Sequence, residues 1–190
     1  NVGNTIYEFR PKYNRVMKEE TAWLMTDMLM TVVQAGTGTG AQISGVQCAG
    51  KTGTTQNDND AWFVGYTPHY TCAVWMGYDQ KETMSNTYGG SYPARIWKAA
   101  MTKAVAISKG KFSVPSGITS VRICKVSNKL ATSACPDEQI LATYVGSGNV
   151  PQESCDVHVL IDICSETGLL ATPGCPAPVQ QGFDKTLAPG

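Results

Sequence analysis

The segment that decides the fold is Gly50-Lys51-Thr52-Gly53-Thr54-Thr55, closely followed by Asp60-Ala61-Trp62-Phe63-Val64-Gly65-Tyr66-Thr67-Pro68. The second of these segments contains an apolar run, 61–66, that ends just before a proline, and such runs are typical of strands. We predict strands over 43–51, 61–66 and 70–78, with the last two joined by a tight hairpin. Because apolar residues occupy successive positions in these two strands, we expect both faces of the sheet to be covered.

Two predicted helices flank the strands. The first spans 19–34, with a polar stripe of Asp27, Thr31 and Gln34 beside many apolar residues, so we expect it to be largely buried. The second spans 93–107, where apolar residues four apart form one face, namely Ile96, Ala100 and Ala104 beside Trp97, Met101 and Val105. The order helix, three antiparallel strands, helix predicts an α+β fold.

The composition changes at 110–117, a stretch that contains Pro115 and has a glycine at each end. We place a domain boundary there, with a first domain over 1–112 and a tail over 113–190. Residues 123–136 align without a gap to residues 163–176, which is an internal repeat with a period of 40 residues. We expect this tail to be a small unit rich in strands and loops.

Charge and hydropathy exclude two classes of function. The chain has 15 basic and 15 acidic residues, and a net charge of zero argues against nucleic acid as a partner. No apolar run reaches the roughly 18 residues that a membrane span needs. We expect no cofactor.

Several segments together resemble a known family, namely 20–22, 25–29, 36–38, 49–55, 60–68 and 74–79. In order and spacing they are similar to the end of the transpeptidase domain of class A penicillin-binding proteins, and the similarity covers residues 1 to about 112. The tail resembles the cysteine-bearing C-terminal extension of some Gram-positive members.

The resemblance implies a partial transpeptidase fold of the penicillin-binding protein and β-lactamase type. It also implies a D,D-transpeptidase that cross-links peptidoglycan stem peptides and is acylated by β-lactams. Lys51 and Thr54 would be catalytic: Lys51 supplies positive charge, and the Thr54 backbone N–H is one oxyanion donor. Thr52, Gly53, Thr54 and Thr55 would bind the substrate, with hydroxyls for its carboxylate and a glycine where it lies close.

The family also needs a nucleophile in Ser-x-x-Lys and a Ser-x-Asn, both upstream of Lys-Thr-Gly. The only serine before residue 51 is Ser44, and it fits neither pattern. Ser108 with Lys111 and Ser147 with Asn149 fit the two patterns but lie downstream, so we regard them as chance matches. We therefore expect an inactive piece of a longer protein, whose missing partner is the N-terminal part of the same domain.

The resemblance further implies a membrane-anchored parent with a glycosyltransferase domain, located on the extracytoplasmic face of the cell membrane, whereas we expect the piece itself to be soluble. An alternative remains open: the chain is a non-catalytic extracytoplasmic module that binds cell wall or a protein partner.

Five of the seven cysteines lie in the tail. Cys124 with Cys135, and Cys164 with Cys175, could be disulfides, metal ligands or free thiols, and ten intervening residues are unusual for zinc. We predict two disulfides, one in each repeat, since duplicated units should keep internal partners. We expect Cys155 to be unpaired and no metal site, although Cys155 and His158 have the spacing of half of one. The remaining cysteines, Cys48 and Cys72, are expected to be reduced and buried.

Overall fold

The computed structural model describes residues 7–10, 12 and 14–185, which form two compact units that divide between Phe112 and Ser113. In this part of the chain no helix combines the length and the apolar character that crossing a membrane requires. The first unit confirms the predicted order of helix, three antiparallel strands and helix. Its elements are α1 (Glu19–Ala35), β1 (Ala49–Thr54), β2 (Asp60–Tyr66), β3 (Thr71–Gly77) and α2 (Tyr92–Val105).

The sheet has the order β1-β2-β3, so β1 is an edge strand. The prediction for its start was wrong, because β1 begins at Ala49 and not at residue 43. Gly45 has a φ of 72° in a turn that the Val46 N–H closes on the Ile43 carbonyl at 3.2 Å, and this turn interrupts the apolar run. Pairing with β2 continues as far as Thr54 opposite Ala61. The Lys-Thr-Gly motif therefore lies inside the strand and not at its end.

Both helices pack on one face of the sheet. Phe63 of β2 meets Trp97 of α2 edge to face, with ring centroids 5.3 Å apart, and Val33 of α1 joins the same buried cluster. The Trp97 indole N–H lies 3.2 Å from the Gly65 carbonyl and 3.1 Å from that of Cys72, which satisfies its polar atom inside the core.

On the opposite face of the sheet, no described element of the first unit packs over the side chains. Trp62, Val64 and Trp75 are 41–45% exposed there, and the two indole rings lie 6.2 Å apart. The prediction that both faces are covered was therefore wrong for this chain. Successive apolar residues show that both faces are suited to burial, but α1 and α2 pack against only one of them.

The buried stripes of the helices differ in part from those predicted. Along α1 one stripe is buried (Trp23, Thr26, Met30 and Val33), while Met25 and Met28 are half-exposed, so the expectation of a largely buried helix was wrong. Thr26 is buried because its hydroxyl is satisfied by the Ala22 carbonyl and the Tyr66 hydroxyl, at 2.8 and 2.9 Å. In α2 the predicted stripe of Trp97, Met101 and Val105 is buried, but Ile96 is exposed.

The second unit consists of two antiparallel hairpins. The first pairs β4 (Ile118–Cys124) with β5 (Ile140–Gly146), and the second pairs β6 (His158–Cys164) with β7 (Pro178–Asp184). Three cysteines, Cys124, Cys135 and Cys155, form the buried centre of this unit together with Ala131, Ile140 and Val157.

The sequence repeat recurs in the backbone. After β4, Asn128 N–H donates to the Cys124 carbonyl at 2.8 Å, and after β6, Gly168 N–H donates to the Cys164 carbonyl at 2.8 Å. Asn128 and Gly168 also share the left-handed conformation, with φ of 58° and 70°. After each turn, the chain forms an isolated antiparallel β-bridge with the preceding strand. The paired residues are Ile123 with Leu130 and Ile163 with Leu170.

Candidate functional site

The Lys-Thr-Gly motif lies on the outer strand of the sheet. Side chains directly opposite each other in an antiparallel pair share a face. Lys51 lies opposite Val64, on the uncovered face, whereas Thr52 lies opposite Phe63, on the helix-covered face. In the part of the chain that the structure describes, β1 pairs with β2 alone, so its outer edge offers backbone N–H and C=O groups to a ligand.

Lys51 and two threonines form a chain of polar contacts. The Lys51 ammonium donates to the Thr52 carbonyl at 2.9 Å and to the Thr52 hydroxyl at 3.2 Å. The Thr52 hydroxyl shares a hydrogen bond of 2.8 Å with that of Thr37. The lysine side chain is therefore held beside two hydroxyls on an exposed surface, which is the kind of group that binds a carboxylate.

A cleft of about 360 Å³ opens beside these threonines. The sequence interpretation placed Thr52 and Thr54 at the site, and it missed the other main walls, which are the turn after α1 and the loop before α2. The available signals were the glycines of 36–38 and 89–90, since glycine allows the backbone to approach a neighbouring chain or ligand closely. The cleft is lined by Gly36, Thr37, Thr39, Thr52, Thr54, Tyr88, Gly89 and Gly90.

Gly89 brings the loop before α2 onto the motif. Its N–H donates to the Thr54 hydroxyl at 3.2 Å. A Cβ at Gly89 would lie 2.7 Å from the Gly53 carbonyl oxygen and would also collide with the Trp62 carbonyl oxygen. A residue without a side chain is therefore required for this loop to close the end of the cleft.

Thr55 lies in the connection from β1 to β2, bound to Asp60. The Asp60 N–H donates to the Thr55 hydroxyl at 2.9 Å, and that hydroxyl lies 3.1 Å from the Asp60 carboxylate. The Trp75 indole N–H donates to the other carboxylate oxygen at 2.9 Å. These contacts give Thr55 a role in shaping the hairpin, and its contact with substrate stays a prediction.

All seven cysteines are free thiols in the structure, and the two disulfides stay predictions. The Cys175 thiol is hydrogen-bonded to Cys164, and this bond lowers the pKa of the Cys164 thiol to about 7. Burial raises the pKa of Cys48. Cys72 is half-buried and not fully buried as expected.

One cluster in the tail could hold a metal ion. The donor atoms of Cys124, Cys135, Cys155 and His158 all lie within 4.8 Å of one another. The sequence interpretation recognised Cys155 and His158 as half of a site but expected no metal. Cys124 and Cys135, which were predicted to form a disulfide with each other, supply the other two donor atoms of this cluster.

Comparisons with known proteins agree with this architecture. Residues 7–102 match the family model of the penicillin binding protein transpeptidase domain, and residues 114–160 match that of the penicillin-binding protein 1A C-terminal domain. The chain is 34% identical over 163 residues to penicillin-binding protein 1A of Clostridium tetani, covering 82% of the chain and 21% of that relative. It is 35% identical over 166 residues to penicillin-binding protein 1A/1B of Bacillus subtilis, covering 77% of the chain and 18% of that relative.

The chain thus spans about a fifth of the length of the curated relatives it matches. Among solved structures, the crystal structure of penicillin-binding protein 1A from Haemophilus influenzae superimposes with a TM-score of 0.61 at 21% identity. The match covers 74% of this chain and 22% of that one. At 21% identity, this similarity shows that the two chains share a fold, and no more than that.

Proposed function

The chain belongs to the family of penicillin-binding protein transpeptidases, and on that premise we propose that it carries one wall of a peptidoglycan D,D-transpeptidase site. The nucleophilic serine would lie in another part of a longer protein. The observation that carries the proposal is the Lys-Thr-Gly motif on an unpaired strand edge beside a threonine-lined cleft.

The free edge of β1 suits an extended stem peptide. A peptide that aligns with an edge strand gains main-chain hydrogen bonds, and pockets for its side chains give specificity. Thr52 and Thr54 project toward the cleft and offer hydroxyls to a terminal carboxylate. We propose that Thr52, Gly53, Thr54 and Thr55 line the substrate, and that the Thr54 N–H donates to the oxyanion of the acyl intermediate.

The Lys51 side chain leaves β1 on the uncovered face, and its ammonium reaches the Thr52 hydroxyl at the margin of the cleft. It shares the uncovered face with Val64, and Trp62 lies on that face opposite Gly53. We propose that the N-terminal part of the transpeptidase domain covers this face and brings its serine to the Lys51 ammonium. The ammonium would then stabilise negative charge that develops on the serine and carbonyl oxygens, in a site partly shielded from water.

The longer protein would act at the extracytoplasmic face of the membrane, held by an anchor and joined to a glycosyltransferase domain. Its ligands would be stem peptides and, as mimics of them, β-lactams. This rests on the relatives, of which the chain covers a small part.

Acylation of the full-length protein tests the proposal. Incubation with a labelled β-lactam should modify one serine outside these 190 residues, and Lys51→Ala should slow the reaction greatly. Peptide mapping locates the label. Acylation of Lys51→Ala at the wild-type rate would favour the alternative, a module that binds cell wall or a protein without catalysis.

A further inference from the structure

The second unit contains four metal-ligating side chains in one place, and the transpeptidase site uses none of them. We propose that Cys124, Cys135, Cys155 and His158 bind one zinc ion as a structural site. The proposal replaces the disulfide between Cys124 and Cys135 that the sequence led us to expect. It does not depend on the proposed function, since all four residues belong to the unit after Ser113.

The distances from His158 to two of the cysteines match a tetrahedral site. The His158 Nδ1 atom lies 3.3 Å from the Cys155 sulfur and 3.5 Å from the Cys124 sulfur. With zinc–sulfur bonds of about 2.3 Å and zinc–nitrogen bonds of about 2.0–2.1 Å, tetrahedral geometry separates a sulfur and a nitrogen ligand by about 3.5 Å. Three thiolates and one imidazole are a common ligand set of closed structural zinc sites.

The four donors are withdrawn from water. None of the four residues is more than 9% exposed, and the three cysteines are the buried centre of the unit. A disulfide between any two of them would leave one thiol and one imidazole buried beside it. Coordination to a single ion uses all four groups, and buried polar groups without partners are costly.

The backbone brings the two halves together by one bridge. Leu130, which follows the Cys124 turn, pairs with Ser154 in parallel. The Cys155 N–H donates to the Leu130 carbonyl at 2.7 Å, and the Leu130 N–H donates to the Glu153 carbonyl at 2.9 Å. This pairing places the Cys155 segment against the turn that carries Cys124. The ligands are therefore fixed by main-chain bonds and not by the metal alone.

Main-chain N–H groups also surround the sulfurs. Cys124 is hydrogen-bonded by the backbone of Val126 and Ser127, and Cys155 by the backbone of Val157 and His158. The Thr132 N–H donates to the Cys135 sulfur at 3.3 Å. Such bonds orient metal-bound thiolates and offset their charge. On binding, the three thiols release their protons to solvent, and neutral His158 donates its Nδ1 lone pair, so the complex carries one net negative charge.

The second repeat supplies an internal contrast. Cys164 and Cys175 correspond to Cys124 and Cys135, and they also lie in contact with each other. In the described range no further cysteine or histidine joins them, and the four-donor group does not include them. We therefore expect this pair to form a disulfide while the first pair binds metal.

Metal content and spectroscopy of the whole 190-residue chain test the proposal. Purified without chelators and with its thiols protected, the chain should carry about one zinc per molecule by elemental analysis. Replacement of the zinc by Co²⁺ should give the visible bands of a tetrahedral ion and a thiolate-to-cobalt charge-transfer band. Cys155→Ser should lower the affinity for Co²⁺ at least about tenfold, while the matched control Cys175→Ser should leave it unchanged.

A second variant guards against simple unfolding. His158→Cys keeps four ligands, so it should still bind Co²⁺ in tetrahedral form, with stronger charge transfer from the added thiolate. The proposal is overturned if the chain binds no Zn²⁺ or Co²⁺, or if Cys175→Ser weakens binding as much as Cys155→Ser. It is equally overturned if peptide mapping of freshly isolated protein shows Cys124 bonded to Cys135.

Discussion

Lys51 is the single residue on which the proposed chemistry depends most. In the full-length protein, Lys51→Ala should reduce the rate of β-lactam acylation by roughly two to three orders of magnitude, because one preorganised charge is lost where negative charge develops. Lys51 takes no part in the hydrophobic core of the unit, so the free energy of unfolding should change by less than about 1 kcal/mol. Stopped-flow acylation beside thermal melting separates the two effects.

Thr54→Val serves as the graded comparison for Lys51→Ala. It keeps the backbone N–H and removes only a hydroxyl, so we expect the activation free energy of acylation to rise by about 1–2 kcal/mol. It also removes the acceptor of the Gly89 N–H, so a small drop in melting temperature should accompany it. Equal acylation defects in the two variants would show that Lys51 acts through the fold of β1 and not through its charge.

Cys164 should differ from an ordinary thiol in its response to pH. The hydrogen bond from Cys175 lowers the pKa of Cys164 to about 7, so its thiolate predominates above that pH. In the reduced chain, iodoacetamide should alkylate Cys164 at a rate that rises up to about pH 7 and then levels off. Cys175→Ala should shift this rise to higher pH. A rate in the wild-type chain that still climbs above pH 8 would contradict the prediction, and mass spectrometry of the Cys164 peptide measures it.

Among the elements, the two turns of the repeat offer a matched pair. Gly168 occupies the left-handed position that Asn128 occupies in the first copy. Gly168→Ala should destabilise the second hairpin by about 1–2 kcal/mol, whereas Gly168→Asn should cost less, because asparagine tolerates this conformation. Hydrogen exchange of peptides covering 158–176 measures the difference. The exchange rate should be about 5–30 times faster in Gly168→Ala than in the wild-type chain. Similar exchange in both variants would contradict it.

The helices and the hairpin of β2 and β3 could be predicted, since apolar spacing and Thr67-Pro68 decide them locally. The start of β1 could not, because Gly45 turns the chain within an apolar run. The motif residues were found by resemblance, but the loop that closes their cleft approaches from 35 residues away, where Gly89 meets Thr54. The cysteine cluster was missed for the same reason, since the bridge between Leu130 and Ser154 is not encoded in either segment alone.

At the scale of the whole molecule, the chain should not react with β-lactams by itself. Acylation requires an activated serine, and Ser108 lies after the C-terminal end of α2 and not at the start of a helix, where the family places its nucleophile. Intact mass after incubation with a labelled β-lactam should therefore equal that of the untreated chain. A stoichiometric adduct on Ser108 would contradict both this prediction and the assignment of the nucleophile to another part of the protein.

The uncovered face of Trp62, Val64 and Trp75 also governs how the isolated chain behaves in solution. It adjoins β1, whose outer edge has no partner strand in the described residues. Natural proteins shield such combinations, because an apolar face beside an open edge invites a second copy to pack or pair against it. Light scattering from the purified chain should therefore grow faster than its concentration, and crystals of it should bury this face in their lattice.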